Sequence, residues 1–185
     1  MSGQMSVAEF LRWDPGDGRR WQLVDGVPRA MAPANTLHGY LQAELGRLLG
    51  NHLRAAGLPC EVFANPGVIP ATMAARNMRV PDLAVSCAAL ADLPALPDPV
   101  LVVEILSPGN ADDTWANVWA YTSIPSVTEI LILRTDAAGG ELLRRLPDGA
   151  WPEEPAAVET DLVLDSVGFR VALSELYARM PLTLG

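Results

Sequence analysis

Two carboxylates interrupt segments that are otherwise apolar. Asp82 follows proline in Arg79-Val80-Pro81-Asp82-Leu83-Ala84-Val85, and Glu104 breaks the run Val100-Leu101-Val102-Val103-Glu104-Ile105-Leu106. A carboxylate in such a run is costly unless a positive or hydrogen-bonding group meets it. Side chains alternate along a strand, so Val102, Glu104 and Leu106 share one face, and Leu101, Val103 and Ile105 the other. Asp82 directly after Pro81 fits a strand start or edge. If the two strands pair, both acids open onto one cleft and offer the oxygen ligands that suit Mg²⁺ or Mn²⁺. Such an ion activates water and stabilises the charge on a phosphate under attack. The alternative is structural: Glu104 pairs with an arginine and Asp82 caps a turn. Either acid alone fits that alternative; the two together, with the sequence context below, favour the metal.

Other chemistry is thinly supplied. All thirteen basic residues are arginine, so no lysine serves catalysis anywhere in the chain. His38 falls in the first turn of an expected helix. It could act as a base or bind phosphate, or equally pack against the sheet. His52, near the end of that helix, suits its dipole and is given no role. Ser107-Pro108 reads as a strand exit, since no His and Asp spacing supports a serine triad. Cys60 and Cys87 read as buried thiols of a cytoplasmic protein, not a disulfide or a metal site. The tryptophans, Trp115 and Trp119 among them, read as core or dimer contacts.

The net charge of -9 disfavours nucleic acid as a partner, because phosphate contacts need a basic surface. Arg76 with Arg79 and Arg144 with Arg145 are the candidates for a local basic face, or for an ordinary solvated one. No run approaches a membrane span, and the N-terminus lacks the features of a signal peptide. With 185 residues, half of them hydrophobic, a single domain over residues 1–185 can bury a substantial core.

The elements that must position the acids follow from local pattern. Ser6-Val7-Ala8-Glu9 is a capping box opening a helix to about Trp13. Trp21 to Pro28 forms a hairpin turning at Asp25-Gly26. Asn35 or Thr36 caps a helix carrying Leu37, Leu41, Leu45, Leu48 and Leu49, closed by Gly57. Strands are expected over 60–64, 82–86 and 100–106, then a helix over 112–121. Further strands are expected over 128–134 and 141–146, a turn-rich excursion over 147–155, a strand around 162–164 and a helix over 173–179. Helices interspersed without regular alternation indicate α/β with a mixed central sheet flanked by helices, after an N-terminal helix and β-hairpin.

The ordered set of Trp21-Gln22-Leu23-Val24-Asp25-Gly26, a helix entered near His38, Pro81-Asp82, Val102-Val103-Glu104-Ile105-Leu106-Ser107-Pro108, a helix ending in Tyr121, Val127-x-Glu129-Ile130 and Leu176-Tyr177-Ala178 resembles the Uma family of putative restriction endonucleases. That family belongs to the PD-(D/E)XK, restriction-endonuclease-like superfamily. The resemblance spans roughly Met5 to Arg179. It implies a restriction-endonuclease-like fold, a homodimer, and a metal held by Asp82, Glu104 and the backbone carbonyl of Ile105. It also implies a lysine, which the superfamily places two residues past the second acid, here Leu106. The Uma family takes it from the following helix, four residues before a tyrosine, which here is Asn117 before Tyr121. Asp113, Asn117 and Tyr121 share one face of that helix; Trp115, Val118 and Trp119 make the other, expected to face the core. The family's glutamate in the first hairpin is here Gln22, which can offer only a neutral oxygen.

The expected function is therefore Mg²⁺- or Mn²⁺-dependent hydrolysis of DNA phosphodiesters, impaired by the loss of the lysine at Asn117. Asp82, Glu104, Gln22 and Ile105 would be the ligands, and Asn117 and His38 would assist. The alternative is a catalytically inactive nuclease-fold protein that binds or assembles.

Overall fold

Asn35 stops its own backbone in an extended conformation and accepts the His38 N–H through its side chain, which starts α2 (Thr36–Ala55). Leucines at 41, 45, 49 and 53 then recur every fourth residue and bury one stripe, and Gly57 turns the chain out at φ 64°. Upstream, the Ser6–Glu9 capping box holds a single turn, α1 (Val7–Phe10), shorter than expected. The computed structural model describes residues 4–107 and 111–182; Pro108, read above as part of a strand exit, lies outside them.

The stripe of α2 needs a sheet to cover, and the sheet is six-stranded: β3 (Glu61–Ala64), β4 (Leu83–Ser86), β5 (Pro99–Leu106), β6 (Glu129–Arg134), β7 (Gly140–Arg144) and β8 (Ala156–Val158), in that spatial order. β5 and β6 are parallel and every other neighbour is antiparallel, so the sheet is mixed. The parallel pair needs a crossover, which is α3 (Ala111–Tyr121). Alternation along β5 divides its residues as expected. Leu101, Val103 and Ile105 pack with the α2 leucines, whereas Val102 packs with Val118 and Tyr121 of α3. Glu104 therefore points to the α3 side.

The hairpin β1 (Trp21–Val24) and β2 (Val27–Ala30) turns at Asp25 and Gly26, both at positive φ, as its two-residue loop requires. Its inner strand exchanges backbone hydrogen bonds with Met78, and Arg79 exchanges them with Val68. The approach to Pro81-Asp82 is thus gripped on both sides.

Three elements depart from expectation. β8 lies just past the segment expected to be turn-rich; three residues are too few to show alternation. The single strand expected near Leu162 is a hairpin of β9 (Asp161–Leu164) and β10 (Phe169–Ala172), joined by a 3-10 turn and Gly168 at φ 62°. It packs on the α2 side, and the terminal helix, α4 (Leu173–Leu176), is one turn long. Third, Cys60 and Cys87 are not free thiols. They stand opposite each other next to the Glu61–Ser86 pair, with Cα atoms 3.9 Å apart, and form a disulfide across β3 and β4. Sequence separation gave no hint that antiparallel register would oppose them.

Candidate active site

Register brings the two acids together. Leu83 pairs with Val103, so Asp82, one residue before β4, faces Glu104 across the sheet. Asp82 Oδ2 accepts the Ile105 N–H at 2.7 Å, and Oδ1 lies 2.8 Å from His38 Nε2. The Asp82 carbonyl accepts from Gln42 Nε2 at 2.7 Å and from the Asn65 N–H at 3.0 Å. The start of α2 thus holds Asp82 twice, by backbone and by side chain. His38 Nδ1 sits 3.4 Å from Ser107 Oγ. At Ile105 it is the N–H, not the carbonyl, whose bond to the site is formed.

Glu104 receives its partners from α3. Tyr121 Oη donates to Glu104 Oε1 at 2.6 Å, and the Asn117 side chain lies close enough to favour the ionised form of Glu104. Burial, and next the charge of Asp82, hold the Glu104 carboxyl well above the usual carboxylate range; Tyr121 and Asn117 pull it down, and a hydrogen bond shared with Asp82 raises it. Burial and the facing acid thus favour the protonated form of Glu104 more than an exposed carboxyl would. Burial and the neighbouring Glu104 likewise raise the Tyr121 hydroxyl well above its ordinary value, so it remains a donor.

The expected split of α3 is corrected here for the two tryptophans, while Val118 is buried as expected. Thr114, Asn117, Val118 and Tyr121 are buried, whereas Trp119 is 47% exposed and Trp115 only half-buried. The face that carries Asn117 and Tyr121 is the one packed on the sheet, because Glu104 offers those polar groups a partner there.

One of the arginines expected at a surface is corrected as well, whereas Arg76 and Arg144 are exposed. Arg79 is buried at 6% exposure. Its Nη1 donates to Asn117 Oδ1 at 3.1 Å and its Nη2 to Asn77 Oδ1 at 3.3 Å. Burial lowers its pKa from the ordinary arginine value. Arg144 pairs with the buried Glu129 at 2.8 Å, and Arg145 clamps the carbonyls of Val127, Thr122 and Ile124 while its guanidinium lies over Trp151. Both are structural. Arg79 was the member of the site that sequence reading missed. The only local signal is its apolar flanks, Met78 and Val80, since Arg79 lies in an isolated bridge and not in a strand.

Gln22 does not join this network by hydrogen bonds of its Oε1, which is buried and without a partner among the described residues. The exchange between Leu23 and Met78 places Gln22 opposite Arg79, so both side chains leave the same face.

The donor set can be weighed against a hard cation. Among the described residues no group of three or more His, Cys, Asp or Glu side chains is arranged to hold a metal ion. Mg²⁺ is commonly held by one or two carboxylates with its remaining positions on water or neutral oxygen. Two facing buried carboxylates, with an orphaned amide oxygen on the adjoining hairpin, fit such an ion.

The family model of Uma2, described as a putative restriction endonuclease, matches residues 7–180. The chain belongs to the Uma2 family. The Uma2 fold is also seen in a crystal structure of a putative nuclease belonging to DUF820 from Anabaena variabilis. That protein is 15% identical, with a TM-score of 0.73 over 94% of this chain and 98% of that one. At this identity the likeness shows a common fold. A cryo-electron-microscopy structure of a DrdV–DNA complex aligns over 77% of this chain and 12% of that one, with 10% identity and a TM-score of 0.37, too low to support an argument. No curated protein matches the chain. The Uma2 assignment agrees with the resemblance drawn from the motifs, and the mixed six-stranded sheet with the expected fold.

Proposed function

We propose that this Uma2 protein is a Mg²⁺- or Mn²⁺-dependent hydrolase of DNA phosphodiesters whose rate is low. The observation that carries this reading is the facing Asp82–Glu104 pair, both members buried. Asp82 and Glu104 would hold the ion, with the Ile105 carbonyl and Gln22 Oε1 as neutral oxygens. When bound, such an ion lowers the pKa of a water and stabilises charge on the phosphate. In the reaction a water oxygen bonds to phosphorus and one P–O ester bond breaks. The departing oxygen keeps the electron pair and takes a proton, while the water gives one up to solvent.

The chain's own residues orient this chemistry. His38 fixes Asp82 by its 2.8 Å contact, and Tyr121 fixes Glu104. Asn117 stands where the family resemblance implies a lysine, and its amide can orient a water by hydrogen bonding. An amide brings no charge, and loss of one stabilising donor commonly costs about 10²–10³ in rate. The same Asn117 and the net charge of -9 support a second reading, a catalytically inactive nuclease fold that binds or assembles. A homodimer, implied by the family resemblance, is the assembly we propose for either.

Supercoiled plasmid incubated with Mg²⁺ or Mn²⁺ separates the two. Slow nicking that vanishes with EDTA and in Asp82→Ala supports the hydrolase. Identical traces for the wild type and Asp82→Ala leave the inactive fold.

A further inference from the structure

Among the described residues, Arg79 is a buried cation with no anion hydrogen-bonded to it. Its two hydrogen-bond partners are neutral amides, Asn117 and Asn77, and its Nε has none among the described residues. The nearest compensation is indirect: Asn77 also donates to Asp25 Oδ1 at 3.0 Å. A buried guanidinium held only by amides is expensive unless an anion reaches it. It has not drifted there, because the Arg79 backbone exchanges hydrogen bonds with Val68 at 2.8 and 2.9 Å.

Asn117 makes this cation part of the acid site. Its side-chain oxygen accepts from Arg79 Nη1, and the same side chain lies close enough to Glu104 to favour its ionised form. A lysine at 117 would set an ammonium beside that guanidinium, which is repulsive. The amide instead links Glu104 to a positive charge one residue further out. We propose that Arg79 is a phosphate-binding residue of this site, taking a non-bridging oxygen of a nucleic-acid phosphate through Nε and an Nη in the forked geometry arginine favours. Asn117 is the spacer that holds it in line with the acid pair. The position rests on the hydrolase reading; the affinity for phosphate does not.

The test uses the full chain as wild type, Arg79→Lys, Arg79→Gln and the double variant Arg79→Gln/Asn117→Lys. Each is first checked for a cooperative melt. Inorganic phosphate in EDTA is titrated by calorimetry, and binding of a short fluorescein-labelled duplex is followed by anisotropy in Ca²⁺ over a range of salt. Arg79→Gln should weaken phosphate and duplex binding about tenfold or more and flatten the log K against log salt slope by about one. Arg79→Lys should keep the slope while losing affinity, and the double variant should recover it. Should Arg79→Gln fail to fold, the comparison of Arg79→Lys and the double variant with the wild type carries the same reading. Unchanged binding and slope in Arg79→Gln, or in its absence a double variant with the slope lowered by one, overturn the proposal. Plasmid nicking keeps this apart from the hydrolase. Nicking that survives Arg79→Gln with unchanged rate sinks the role of Arg79 alone. Arg79-dependent phosphate binding without any nicking sinks the hydrolase alone.

Discussion

His38 and Asp82 lie 44 residues apart in the chain, yet His38 Nε2 stands 2.8 Å from Asp82 Oδ1. The contact joins the first turn of the long helix to the strand that opens the acid pair, and both side chains are about nine-tenths buried. With Ile105 N–H on Oδ2, it leaves the Asp82 carboxylate one orientation.

His38→Ala removes that partner and strands a buried carboxylate oxygen. The expected loss is about 1–3 kcal/mol of stability, read from urea denaturation. A loss below a few tenths would mean that His38 only packs on the sheet. Nicking, where present, should fall further than the small shift in melting predicts, because Asp82 is then free to rotate.

Stability should fall with rising pH in the absence of a divalent ion. The folded state holds the Glu104 proton well above the ordinary carboxylate value of 4.5, so the unfolded chain releases it first. The native state then binds more protons, and the unfolding free energy drops as pH climbs from that value through the raised one. Glu104→Gln should flatten the dependence. Chemical denaturation across the range checks it, and equal slopes in both proteins would refute the assignment.

Tyr121→Phe deletes the 2.6 Å bond that favours ionised Glu104. The Glu104 carboxyl should move further up, so the pH at which stability begins to decline changes little while its span widens. A cost of about 1–3 kcal/mol near neutral pH is expected. Infrared difference spectra of the buried carboxylic acid, titrated against the wild type, give the direction.

Reduction of Cys60–Cys87 opens a link between residues 27 apart in sequence. Loop-closure entropy places its contribution at about 3–4 kcal/mol, as an upper figure. The melting temperature should drop on adding a reductant and not in a Cys60→Ala/Cys87→Ala variant. A free-thiol assay finding two reactive thiols in the unreduced native protein would contradict the bridge.

Much of the scaffold was legible before any coordinates. The capping box at Ser6, the Asp25-Gly26 turn and the leucine stripe of α2 are local signals, each fixed by chemistry within a few residues. So was the anomaly of Asp82 and Glu104 in apolar runs, and the ordered motifs were enough to indicate the family. What the chain could not disclose is pairing. Whether Cys60 meets Cys87, and whether Trp119 or Asn117 faces the sheet, depends on register and on which polar partner waits there. Arg79 shows the division most clearly. In one dimension it is an arginine near another arginine, as solvated surfaces carry. Tertiary structure buries it against Asn117, next to the acid pair, because burial and electrostatic neighbourhood are properties of three converging segments and of none alone.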